Sequence, residues 1–447
     1  MTRLEDLARM LVDAARAAGA DSADAIALGV EDIAIGVRGG ALEEAGRAES
    51  LDFGLRALVG RRQACVSASD ARPDTLRTLA ERAVAMAREA PEDPYCGLLD
   101  PAELGAPVDP LSLELEDAAA PPSPDALQKL ALEAEAAARD VAGVSQVDSV
   151  SAGWQRGAVA LAASNGFAGS YERTTSSVSV SAIAGEGLGM EGDYDYASRR
   201  RAADLPPPAE IGRRAGERAV ARLNPRKPQT GAVPVIFDRR VSPSLIGHVL
   251  SAANGSSVAR GASWLSGRMG ARILPEWASL IENPLLPRGP ASRPFDGEGV
   301  AARRAALIED GVLVRWLLDA ATARQLGLAT TGNARRGASS PPSPGSSNMR
   351  LTPGVATRAD LIGSVKRGFL VTAMMGSSVN PTTGAYSRGA SGFWIENGEI
   401  AWPVAEATIA GSLPEFLLRM TPADDPDPHV ATSVPSLLVE GLVVAGG

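Results

Sequence analysis

The feature that most constrains this chain is the order of its hydrophobic periodicities. An amphipathic helix, several strand-like runs and a second amphipathic helix occur in that order, and then occur again. In the first series Leu4, Leu7, Leu11 and Val12 share one helical face, with a Thr2-x-x-Glu5 capping-box pattern ahead and Gly19 behind. Asp74 stands as N-cap to a helix carrying Leu76, Leu79, Ala83, Val84 and Met86. Residues 25–30, 33–37, 51–59 and 62–68 read as strands between them. The second series opens on Ser123-Pro124, a cap before an N1 proline, followed by Leu127, Leu130 and Ala134. Strand-like runs at 145–152, 158–163, 169–184 and 190–197 follow, and a helix from Pro208 with Ile211, Ala215, Ala219 and Val220 closes it. Such an order favours antiparallel meanders with helices on one face over a doubly wound sheet.

The fold class expected is therefore α+β: two helix–strands–helix units form an N-terminal α+β region, and a strand-rich C-terminal domain follows. The boundaries read as 1–105 for an N-terminal α+β domain, 106–123 for a linker, 124–224 for a central α+β domain and 229–447 for the β-rich domain. The joining stretch 91–124 holds eight prolines and no clear period. Beyond Thr230, Asp310-Gly311 and Asn397-Gly398 each sit between apolar runs, the signature of type I′ hairpins. Residues 328–354 form a long Gly/Ser/Pro/Asn/Arg segment, and a loop of that length in a compact domain is more often functional than idle.

Composition narrows the functional classes. The 447 residues are 45% hydrophobic and 22% charged, which fits globular domains with sizeable cores. No apolar run approaches the roughly eighteen residues of a membrane helix, and the acidic N-terminus lacks a signal-peptide core. Cys65 and Cys96 are too few for a disulfide framework. A soluble cytoplasmic protein with no membrane association is expected. Net charge is −9, and the densest basic run, Arg199-Arg200-Arg201, closely follows Asp193-Tyr194-Asp195. Nucleic acid is not an expected partner, and these arginines read as solvated or ion-paired surface.

The search for catalytic constellations is mostly negative. The two histidines, His248 and His429, cannot form HExxH. His248 lies in a helix-like run without a carboxylate and reads as structural; His429 lies in an acidic, proline-rich stretch and reads as exposed. No G-x-S-x-G elbow occurs, and Cys65 reads as a core thiol. Gly187-Leu188-Gly189-Met190-Glu191-Gly192 matches G-x-G-x-x-G, but a strand-like segment follows where a phosphate would need a helix N-terminus. The pairs Asp193/Asp195 and Asp296/Glu298 read as solvated turns rather than cation sites.

The C-terminal half carries a resemblance. Arg293-Pro294-Phe295-Asp296-Gly297-Glu298-Gly299, Leu307-Ile308-Glu309-Asp310-Gly311, Ser340–Gly345 with Asn348, and Gly392–Ile400 running to Pro403 and Ala407–Gly411 occur in sequence. Together they resemble the TldD/PmbA metallopeptidase family. Arg222–Lys227 through Gly231 is similar to the family's approach to its last domain.

The resemblance implies a division of labour. TldD-like members carry HExxxH and a later cysteine as zinc ligands. A gap-free register places the corresponding positions at Ile246, Gly247 and Ser251, and no cysteine follows Cys96. Isoleucine has no lone pair, glycine cannot act as a base, and a lone serine is a poor zinc ligand. This pattern is similar to the PmbA/TldE side of the family. It implies a non-catalytic subunit with no cofactor of its own, whose TldD-like partner holds zinc and acts on extended, unfolded or precursor peptides. A homodimer in isolation and a homodimeric peptide-binding protein without protease activity are the alternatives, with catalysis by Asp296 and Glu298 a third. Contact with peptide or partner is expected at Asn254, Asn333, Arg335 and Arg336.

Overall fold

The computed structural model describes residues 2–446. The side chains of Thr2, Arg3 and Ser377 lie outside the described residues, and with Thr2 the expected N-terminal capping box. The strands of both series enter one sheet. β1 (Ser22–Arg38), β2 (Ala41–Val59), β3 (Arg62–Ala68), β4 (Val144–Ala163), β5 (Ala168–Ala184) and β6 (Glu191–Arg199) take the order β3-β2-β1-β4-β5-β6. All neighbouring pairs are antiparallel, and β1 of the first series pairs with β4 of the second from Asp24↔Ala163 to Val37↔Val150.

The separate runs expected at 25–30 and 33–37 are one strand of 17 residues, and those at 145–152 and 158–163 one strand of 20. The polar residues that interrupt both patterns face each other across the ladder, Glu31 opposite Arg156 and Asp32 opposite Gln155. Cross-strand opposite charges of this kind support pairing where apolar contact is missing.

Side-chain alternation along β1 assigns the layers. Ala23, Ala25, Ala27, Ile33, Ile35 and Val37 all point to one face and all are buried. Two helix pairs cover that face. α1 (Thr2–Ala17) and α2 (Pro73–Glu89) pack Leu11 and Leu76 in the cluster containing Ala25, Phe53 and Leu55. α3 (Pro124–Arg139) and α4 (Pro208–Ala221) pack Leu127 and Ile211 in the cluster containing Ile35, Val150 and Trp154. The cap of α2 differs from expectation: Arg72 is the N-cap and Pro73 begins the helix, so Asp74 falls in the first turn. There its charge still favours the positive helix end. Ser123 caps α3 as expected, accepting the Ala126 N–H at 3.2 Å.

The C-terminal domain contains an eight-stranded mixed sheet with Arg367–Val379, Ala385–Glu396 and Glu399–Ser412 adjacent, beside a five-stranded sheet. Its hairpins turn where the sequence places them. Asp310 and Gly311 have φ of 47° and 80°, Asn397 and Gly398 of 52° and 82°, the left-handed pair a type I′ turn needs. α5 (Pro243–Ala252) packs against this sheet in the main C-terminal core, and α6 (Gly255–Ala259) follows it. The stretch joining the first two units packs as a strap: Leu99, Leu113 and Leu115 are buried, and Arg324 donates to the Tyr95, Gly97 and Leu98 carbonyls. Among the described residues no helix is long and apolar enough to cross a membrane.

α3 and α4 approach backbone to backbone at Gly212, where a Cβ would stand 1.9 Å from the Ala134 carbonyl oxygen. Gly212→Ala is expected to lower stability by about 1–3 kcal/mol through overpacking, while Gly46→Ala, whose Cβ meets nothing within 4 Å, stays near neutral. Urea denaturation of both variants checks this; equal losses would refute the assignment.

Candidate functional site

α5 carries Ile246, Gly247 and Ser251, the three positions at which the family resemblance places a zinc motif. It starts at Pro243 with Ser242 as N-cap, but the Ser242 hydroxyl donates to the Val434 carbonyl at 3.3 Å rather than capping the helix. The helix buries Leu245, Ile246, Val249 and Ala252 in the main C-terminal core. Ile246 is fully buried, Ser251 is exposed, and a Cβ at Gly247 would meet nothing within 4 Å. Five residues along a helix turn the side chain by roughly 140° beyond a full turn. Ile246 and Ser251 therefore face different surroundings and do not converge.

The donor chemistry does not fit zinc. Among the described residues no three His, Cys, Asp or Glu side chains gather in a metal-binding group. His248 is the nearest imidazole. Its ring meets Tyr386 edge-on at 5.7 Å, and its buried Nε2 has no hydrogen-bond partner. Tyr386 and Ser244 both reach the Met374 sulfur, at 3.8 and 3.7 Å. Burial and then Arg388 push the His248 pKa below its ordinary value, so the ring is neutral near pH 7.

The four expected contact residues belong to a second region, the junction between the long segment 328–354 and the N-terminal sheet. Asn254 caps α6: its Oδ1 accepts from the Ser256 N–H at 2.9 Å, and its Nδ2 donates to the Pro344 carbonyl at 2.9 Å. Asn333 is 1% exposed, and its Nδ2 donates to both Glu282 oxygens at 2.9 Å. Glu282 also pairs with Arg315 at 2.6 Å and accepts the Ser347 N–H at 2.7 Å. Burial alone would raise this carboxyl; Arg315, Asn333 and Ser347 together hold it below its ordinary value. Arg335 is exposed and donates to the Ser346 carbonyl at 2.6 Å. The Arg336 side chain is 1% exposed and ion-paired with Asp24 of β1 at 2.5 Å.

The long segment 328–354 is thus not a free loop. The segment is pinned by short ladders, Ala334–Arg335 with Ser343–Pro344 and Met349–Leu351 in the five-stranded sheet, and by buried amides and charges. Arg336 already has a carboxylate from its own chain, and Arg335 alone of the pair remains on the surface.

Two more expectations reverse here. Asp296 and Glu298 are not a solvated turn. Asp296 is 2% exposed and accepts the N–H groups of Glu298, Val300 and Ala334, each at 2.9 Å. Glu298 accepts the Ala320 N–H at 2.8 Å; burial and then the Asp296 charge push its carboxyl up to about 8. Asp193 and Asp195 are buried as well, held by Arg240 at 2.6 Å and by Arg214 and Arg218 at 2.6 and 2.7 Å. The G-x-G-x-x-G stretch leads into β6, as expected from its acidic continuation.

Sequence reasoning missed the group that organises this junction. Asp24 and Arg56 stand opposite each other on β1 and β2, and Arg56 Nε donates to Asp24 Oδ2 at 2.8 Å. Burial alone would raise Asp24, but Arg336 and Arg56 hold it below the usual carboxylate range. A plain hairpin register gave no signal of it, because the ladder shifts by one residue between Gly36 and Val37. Beside this cluster a cavity of about 400 Å³ opens between the sheet and the C-terminal loops. Ile26 and Leu28, Arg173, Asp296, Arg335 and Arg336 line it. Such a cleft can hold an extended chain against an apolar sheet face while guanidinium groups meet its polar atoms.

Profiles of the PmbA/TldA metallopeptidase domains match this chain in three consecutive pieces: domain 1 over 23–87, the central domain over 117–223 and the C-terminal domain over 230–446. The chain is 34% identical over 409 residues to the metalloprotease PmbA of Escherichia coli O157:H7, spanning 90% of this chain and 88% of that one. A crystal structure described as a candidate modulator of DNA gyrase from Bacteroides thetaiotaomicron superposes with a TM-score of 0.90 at 27% identity, over 100% of both chains. TldE from Thermococcus kodakarensis shares the fold, with a TM-score of 0.87 at 24% identity over 98% of this chain and 100% of that one.

Two outcomes test the junction. Arg336→Ala leaves Asp24 with one partner and is expected to cost about 1–3 kcal/mol, whereas Arg335→Ala changes urea stability by less than about 0.5 kcal/mol. Glu298 binds its proton in the fold up to about pH 8 but near its ordinary 4.5 when unfolded. Its stabilising contribution is therefore full below pH 4.5 and is lost as the pH rises through about 8. Glu298→Gln, which keeps the acceptor and cannot ionise, should flatten that decline in melting temperature; an unchanged slope would contradict the assignment.

Proposed function

The chain belongs to the PmbA/TldD metallopeptidase family, on its PmbA/TldE-like side, and from that premise we propose that it is the subunit without a metal site in a two-subunit zinc peptidase acting on unfolded or precursor peptides. The observation that carries the reading is the side-chain set of α5: a core isoleucine, a glycine and an exposed serine. Zinc would belong to a TldD-like, HExxxH-bearing partner, and no catalytic step is assigned to residues of this chain. Its part is to wall the partner's zinc site and hold an extended peptide. The setting assigned to it is the cytoplasm.

An open backbone edge supports the second role. Among the described residues β3 pairs with β2 only from Phe53 to Val59, so the outer edge of 41–52 has no strand beside it. Residues 41–50 are exposed throughout. An extended segment can add to such an edge through main-chain hydrogen bonds. The same edge suits a second copy of the chain, which is the competing homodimeric reading.

Metal analysis and peptidase assay of the purified chain, alone and mixed with an HExxxH-bearing family member, decide between these. The expected result is substoichiometric zinc and no turnover alone, with peptidase activity and a mixed dimer on combination. Stoichiometric zinc with turnover in the isolated chain overturns the proposal, and recovery of self-dimers only favours the competing one.

A further inference from the structure

A cavity of about 590 Å³ lies where the end of β6 meets the C-terminal loops, separate from α5 and from the Asp24 junction. Arg199, Arg200, Arg288, Arg350 and His429 line it with one carboxylate, Asp204, which Arg288 pairs at 3.1 Å. Its charge is unusual within this chain. Several neighbouring arginines have carboxylates: Arg201 and Arg288 meet Glu114 at 2.8 and 2.9 Å, and Arg214 meets Asp195 at 2.6 Å. Arg199, Arg200 and Arg350 make no ion pair among the described residues.

Arg200 is 8% exposed, and its guanidinium donates to the Thr174, Gly289 and Pro290 carbonyls and to the Thr175 hydroxyl. Arg350 donates to the Met349, Val430, Ala431 and Pro428 carbonyls. Arg199 donates only to the Ser198 carbonyl, and its buried Nε has no acceptor. Carbonyls satisfy donors without neutralising charge. Burial therefore pushes all three guanidinium pKa values down, Arg200 to about 10. Asp427 acts on Arg199 and Arg350, and Asp204 on Arg199, only from beyond ion-pair distance. Desolvated cations without a counter-charge are costly, and an oxyanion is the partner that guanidinium forks match.

We propose that this cavity is an anion site for an oxyanion group, carboxylate or phosphate, gripped by the free N–H groups of Arg199 and Arg350 with Arg200 supplying fixed positive charge behind them. The site is independent of the peptidase reading above. Carboxylate and phosphate offer the same acceptor oxygens, so the ligand's source is decided by titration.

Calorimetry on the full chain uses three probes: inorganic phosphate, an acetylated tripeptide with a free C-terminal carboxylate, and its C-terminal amide. Binding of phosphate, of the free-acid peptide, or of both at one site per chain is expected, with no binding of the amide. Phosphate alone assigns a phosphate ligand, and the free acid alone a carboxylate one. Arg199→Gln should weaken binding at least ~10-fold, while Arg213→Gln, which removes an exposed pair with Glu217, leaves it unchanged. Arg350→Gln also loosens the loop at 428–431, so it counts only if its melting temperature is retained. Arg199 holds a single carbonyl of its chain neighbour and carries the decision. No binding tighter than about 1 mM for either anion, equal binding of the amide, or undiminished binding in Arg199→Gln overturns the proposal.

Discussion

Asp24 lies buried between two guanidinium groups, and the union of the N-terminal sheet with the C-terminal domain depends on that contact. Arg56 reaches it from the adjacent strand of the same hairpin, and Arg336 from the far half of the chain. A carboxylate at this depth is tolerated only with opposite charge on both sides, because desolvation alone would force it to neutralise. Shape complements charge two residues before Arg56. At Gly54 a Cβ would stand 1.8 Å from the Ala338 carbonyl oxygen, so the loop seats directly on the β2 backbone. One hairpin thus supplies both the carboxylate, on β1, and the gap, on β2, that receive segment 328–354.

The same logic makes rigid what composition suggests is loose. Segments rich in Gly, Ser, Asn and Asp have many polar groups per residue and little apolar surface. Here their polar groups answer one another: Asp296 takes three backbone N–H groups, Glu282 takes Asn333, Ser347 and Arg315, and Asn348 bridges Asn283 and Ser292. Dense polar networks of this kind favour a single geometry, since others leave more buried groups unpaired. The cleft beside the sheet consequently has fixed walls on the C-terminal side. Next to it, with Pro290 in both walls, the Arg199–Arg350 cavity is built from the same material but left with excess positive charge.

Periodicity exposed the elements and concealed how they join. The Asp-Gly and Asn-Gly hairpins and the Ser123-Pro124 helix start were legible because each is decided by local backbone geometry. The outer half of β2 was not, since Ala41–Ser50 carries no apolar alternation and is a strand only through its ladder with β1. The Asp24–Arg56 pair was hidden by one residue. A plain turn at Gly39-Gly40 would set Leu55 opposite Asp24, and the register shift at Gly36/Val37 brings Arg56 there instead. The carboxylates read as solvated turns were misjudged for a related reason: turn residues look alike whether water or protein supplies their partners.

By itself the sequence determined the α+β class, the repeated helix–strands–helix order, the hairpin turns and the absence of zinc-ligating side chains at Ile246, Gly247 and Ser251, because each is a property of residue type and short-range spacing. Only the tertiary structure decided that two sequence units share one sheet, that Arg336 turns inward to Asp24, and that Arg199, Arg200 and Arg350 gather with no ion pair among the described residues. Those outcomes depend on which charges a folded surface brings within a few ångströms of one another, and residues hundreds of positions apart carry no local signal of it.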